Sequence, residues 1–156
     1  MKYLRKIFEN FSDEELKELK ETCEDYLAYL LDEDFSIRMD DGSRSRSIHP
    51  TYQQDYLDID ILVPETGKYS EENWYDNVTG LSWSDVKDQV IPLISLFKRG
   101  KFDYKLKSVH FFFHEYAEEE ISGKELDYLI DDSSEWNTEF LENNGISCIS
   151  IRVKKY

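Results

Sequence analysis

The chain has 156 residues, with 34 Asp and Glu against 19 Lys and Arg, a formal charge of −15 and 40% apolar residues. That length suits one domain with a real core, since about 70% of the unfolded surface is buried at this size. A field this negative repels phosphate backbones and anionic membranes and attracts basic protein surfaces.

The acidity is unevenly spread. Residues 9–34 hold eleven acids against two Lys, and residues 115–142 hold eleven against one. Together the two blocks carry −19, and the rest of the chain carries +4. Eleven Tyr, nine Phe and three Trp separate this composition from that of a disordered acidic tail. The expectation is a single folded domain, 1–156, with a heavily charged surface. The N-terminal residues include Lys2, Arg5 and Lys6 but no apolar core, so no signal peptide is expected. The longest apolar stretch, Val90 to Leu96, contains Pro92 and Ser95 and is far shorter than the roughly 20 residues of a membrane span. A cytoplasmic protein is expected, or one of the host cytoplasm if the source is viral. Cys23 and Cys148 lie far apart in apolar patterns and read as buried free thiols, with a disulfide or a reactive thiol as the alternative.

In chain order, Ser12-Asp13-Glu14-Glu15 reads as a capping box. Leu16, Leu19, Cys23, Leu27 and Leu30 then recur at helical spacing, which predicts a helix over 12–32. Phe35, Ile37 and Met39 alternate with polar residues and predict a strand over 35–39. Leu57, Ile59, Ile61 and Val63 predict a second over 56–63, stopped by Pro64. Residues 64–81 read as a long polar excursion anchored by Trp74 and Tyr75. Ser82 to Asp85 opens a helix over 83–99 lined by Val86, Val90, Leu93, Ile94 and Phe97, with Pro92 inside and Gly100 closing it. Residues 105–115 predict a central strand, with Val109, Phe111 and Phe113 on one face and His110, Phe112 and His114 on the other. Ser122-Gly123-Lys124-Glu125 reads as a further capping box before a short helix, and 134–143 as another helical turn. Ile149, Ile151 and Val153 predict a last strand over 147–154. The expected fold is α+β and two-layered: a four-stranded, largely antiparallel sheet with two main helices on one face.

One pattern points to chemistry. Gly42-Ser43, followed by Asp58 and Asp60 on a strand, resembles minimal nucleotidyltransferases. Two carboxylates two apart on a strand share a face, as bridging of metal-bound triphosphate requires. The resemblance implies Ser43 for phosphate, Asp58 and Asp60 for metal, and Glu115 as the nearest third carboxylate. Fourteen residues part Ser43 from Asp58, and Asp40 and Asp41 precede the turn, so the fit is poor. The competing expectation is a charged outer hairpin face with both aspartates exposed. His110 and His114, about 13 Å apart along a strand, cannot share one zinc ion and read as core or stacking residues. Acids near 118–120 and 131–135 lack the spacing of a calcium loop. Arg44, Arg46, Lys98, Arg99, Lys101, Lys105 and Lys107 read as helix-end and edge-strand cations rather than a nucleic-acid patch.

The function that the sequence favours is a non-catalytic acidic binding protein without a cofactor. Glu14, Glu18, Glu21 and Asp25 of the first helix, with Glu118, Glu119 and Glu120, would dock on a basic protein surface of unknown identity. Trp74 and Tyr75 are of the types that anchor interfaces. A concrete version is an inhibitor that imitates nucleic-acid charge, similar in this to small acidic accessory proteins of viruses and phages. Direct nucleic-acid and membrane binding are not expected. The alternatives are a structural or assembly subunit and the metal-dependent nucleotidyltransferase-like enzyme.

Overall fold

A computed structural model describes residues 12–40, 56–64, 81–100, 104–113, 118–131, 139–143 and 145–155. The described elements run α1 (Asp13–Tyr26), α2 (Ala28–Asp32), β1 (Ser36–Asp40), β2 (Tyr56–Leu62), α3 (Trp83–Lys98), β3 (Tyr104–Phe113), β4 (Glu118–Ile121), α4 (Gly123–Ile130), α5 (Glu139–Asn143) and β5 (Ile146–Lys155).

The fold is α+β, and its sheet has five strands, not four, in the order β1-β2-β5-β3-β4. Every neighbouring pair is antiparallel. The additional strand is β4, which pairs with Val109–Phe112 of β3 and forms an edge. Three of its four residues are Glu, so it lacks the apolar alternation that marks a strand. The third predicted strand is interior, as expected, but β5 holds the middle of the sheet.

The predicted first helix is two. Leu27 parts α1 from α2 with φ −105° and ψ 16°. The hydrogen-bond ladder nevertheless runs across the break, because Leu27 donates to the Cys23 carbonyl and accepts from the Leu31 N–H. Ser12 and Glu15 form the expected capping box. At α3 the Asp85 carboxylate accepts from both the N–H and the hydroxyl of Ser82. Ser122 occupies the N-cap of α4 but makes no capping hydrogen bond, so the second expected box is not formed. Gly100 ends α3 at φ 74°, a conformation that glycine adopts without strain, and donates to the Phe97 carbonyl.

The core lies between one sheet face and the helices. Leu57, Ile59, Ile61, Val109, Phe111, Ile149, Ile151 and Val153 supply the sheet side. Leu19, Cys23, Leu27, Leu30, Val86, Val90, Leu93, Ile94 and Phe97 supply the helix side. Trp83 meets the Phe111 ring edge-on at 5.3 Å. Leu16, expected in this core, is only partly buried against it. No described helix is long and apolar enough to cross a membrane.

Candidate functional site

Pleating sends every second strand residue to the face opposite the core. Register then aligns Arg38, Asp60, Ser150, His110 and Glu120 as facing residues across all five strands. A neighbouring row holds Asp40, Asp58, Arg152 and Ser108. The buried polar residues among those described, Asp60, Ser108, His110 and Ser150, all lie on this face.

Asp58 and Asp60 do not fit the expectation of exposed hairpin residues. They sit on an interior strand, and each is held by an arginine. Arg38 directs Nε and Nη2 at the Asp60 Oδ2, at 3.1 and 2.8 Å. Arg152 grips Asp58 with Nε to Oδ1 at 2.7 Å and Nη2 to Oδ2 at 3.0 Å. Asp60 is 6% exposed. In both arginines the hydrogen bond to aspartate raises the guanidinium pKa above its ordinary value. Arg152 also lies over the Tyr56 ring, 5.3 Å from its centre. The resemblance to nucleotidyltransferases thus falls on carboxylates already engaged by cations. Ser43 and Glu115 lie outside the described residues, as do Trp74 and Tyr75. Among the described residues, no three His, Cys, Asp or Glu side chains are grouped as metal ligands would be.

His110 is a buried residue with two polar partners. Its Nδ1 lies 2.7 Å from Glu118 Oε1, and its Nε2 lies 2.9 Å from Ser108 Oγ. With the Glu118 carboxylate accepting at Nδ1, Nε2 is left to accept the Ser108 hydroxyl proton in the neutral ring. This is the order of a nucleophilic serine, base and orienting acid. Ser108 is only 3% exposed, however, and no substrate reaches a hydroxyl so enclosed. What the line does is tie the edge strand β4 to β3. The ring also stacks near Phe112, at 6.4 Å and 18°. Stacking was expected for His110, and the polar line was not; His114 lies outside the described residues.

The acidic residues singled out in the sequence separate into two places. Glu14, Glu18, Glu21 and Asp25 are all exposed on α1, while Leu19 and Cys23 face the core. Their spacing places them within about 60° of one another around the helix, over about 16 Å of its length. Among the described residues, lysines of α1 itself reach acids of this helix, Lys17 to Glu21 and Lys20 to Glu24, each at 4.0 Å. Tyr29, 61% exposed, follows on α2. Glu118, Glu119 and Glu120 are exposed on β4, but they do not act together: Glu118 is turned to His110, and Glu119 lies on the opposite side of the strand from its neighbours. α1 packs beside β1, and β4 is the other edge of the sheet. Four strand spacings, about 19 Å, part β1 from β4.

Both cysteines are free. Burial pushes each thiol up to about 12, with nearby carboxylates adding to it: Glu24 at Cys23, and Asp60 at Cys148. The reading as buried free thiols suits Cys23, which is fully buried, better than Cys148, which is half-buried on the charged face.

Comparison with protein-family models, curated proteins and solved structures found no match to this chain.

Proposed function

We propose that the protein is a non-catalytic binding module that docks the carboxylate stripe of α1 on a basic protein surface. The observation that carries this reading is the alignment of Glu14, Glu18, Glu21 and Asp25 on one exposed stripe, backed by a rigid apolar face. A helix fixed by its core side presents these charges at constant spacing, so a basic partner loses little entropy in meeting them. Tyr29 at the end of the stripe adds an aromatic surface suited to arginine. The concrete form is an inhibitor occupying a nucleic-acid-binding groove through its charge. Since β4 lies at the other edge of the sheet, Glu119 and Glu120 serve a separate contact or simply guard that edge against pairing.

The experiment is a pull-down from the native host at low and high salt, followed by association kinetics with the captured protein. Reversal of Glu18, Glu21 and Asp25 to Lys should slow association at low salt by about tenfold or more, with a smaller change in dissociation. The same reversal of Glu118, Glu119 and Glu120 is the comparison. Unchanged association in both variants would leave the acidity with a solubilising role only.

A further inference from the structure

The cations of this chain gather where its sequence keeps them apart. Lys105 and Lys154, 49 positions distant, are facing residues on β3 and β5. Tyr56 of β2 continues the same row. Arg152, already bound to Asp58, lies two residues before Lys154 on the same face. Lys107 is exposed at the irregular register between Leu106 and Ser108. None of Lys105, Lys107 and Lys154 forms an ion pair with a described residue, in a chain with 34 acids.

Like charges directly opposite one another destabilise a sheet. Edge protection accounts for Lys105 and Lys107, because β4 pairs with β3 only from Val109 onward. It does not account for Lys154, which has Tyr56 on one side and Lys105 on the other. A facing lysine pair that no described carboxylate joins is best explained by an anion that joins it from outside.

We propose that Lys105 and Lys154 clamp a single phosphoryl group, the dianionic end of a phosphate monoester. Facing side chains start about 5 Å apart, so each ammonium reaches a different oxygen of one such group. Lysine suits this as a mobile point charge. Lys107 adds positive potential beside the pair, and Tyr56 continues the row on β2. Three unpaired lysines are too few to hold a long polyanion against a field of −15, which favours a single phosphoryl group over a nucleic-acid strand. The group belongs either to a small ester or to a phosphorylated side chain of a protein.

The test titrates phenyl phosphate into the isotope-labelled full chain and follows its backbone amide resonances. Saturable shifts centred on Lys105 and Lys154 are expected, with sodium chloride at matched ionic strength producing none of them. Lys105→Gln and Lys154→Gln should each weaken binding by about tenfold, the loss of one charge-assisted hydrogen bond. Without ligand, either variant should melt at or above the parent temperature, which also establishes that it folds. Inorganic phosphate and a phosphoserine peptide separate the two sources: the peptide binds tighter only if the group arrives on a protein. Equal shifts with sodium chloride, or parental affinity in Lys154→Gln, would overturn the clamp. Tighter binding of a single-stranded oligonucleotide with a steep salt slope would replace it by a nucleic-acid surface.

Discussion

Arg38 and Asp60 form one ion pair with unequal ends. The Asp60 side chain is 9% exposed and that of Arg38 is 56% exposed. Arg38→Ala strands a buried carboxylate, whereas Asp60→Ala frees a guanidinium that water already reaches. Urea unfolding should register a loss of about 3 kcal/mol for the first and about 1 kcal/mol for the second. At Asp58 and Arg152 the exposures are 24% and 28%, so truncating either end should cost about the same, roughly 2 kcal/mol. Similar losses for Arg38→Ala and Asp60→Ala would mean that the burial of Asp60 does not govern the pair. The thiols give a prediction with a pH sign. Their pKa is raised from the ordinary value of 9.0 to about 12, so the folded chain keeps protons that the unfolded chain releases. Their contribution to stability is complete below pH 9 and falls as pH rises toward 12. Ellman's reagent at pH 8 should therefore react slowly with the native chain and rapidly in denaturant, Cys23 being the slower of the two. Alternation places Asp58 and Asp60 on one face, and that much is legible in the sequence. Their partners are not: Arg38 and Arg152 lie 22 and 94 positions away, and only strand register delivers them.

Among the elements, α1, α3, β1, β2, β3 and β5 are legible because each carries a sustained apolar period. β4 escapes because Glu118, Glu119 and Glu120 leave Ile121 as its sole apolar residue. The break at Leu27 escapes because apolar spacing continues through it, from Cys23 to Leu30. Pro92 lacks the N–H that would bond the Asp88 carbonyl, and α3 nevertheless runs from Trp83 to Lys98 around it. Pro92 and Asp88 are both exposed, so the carbonyl that loses its helical partner lies on the solvent side. Pro92→Ala restores the donor and should stabilise the chain by about 1–3 kcal/mol, measured as a higher urea midpoint at unchanged slope. No gain would mean that the ring's fixed backbone angle offsets the missing bond through the unfolded state.

At the level of the whole molecule, a charge of −15 opposes its own compaction. The arginine–aspartate pairs are partly buried and screened less than the exposed acids. Moderate sodium chloride should therefore raise the melting temperature, by about 3 °C for a gain of about 1 kcal/mol at this length. A fall would mean that the paired face contributes more than the acidic surface costs. The sequence also concealed that α1 packs beside one edge strand, β1, while Glu118, Glu119 and Glu120 form the other edge, β4, since strand order is not written in local pattern. The same strand order has a consequence for biosynthesis. β5 is the last of the five strands in the chain, yet it alone joins the β1–β2 pair to the β3–β4 pair. Until β5 has emerged from the ribosome, the nascent chain holds two hairpins with open inner edges and an unfinished core. Closure of the sheet therefore waits for its last strand, and a nascent-chain arrest series should develop mechanical tension only once residues 146–155 have left the exit tunnel.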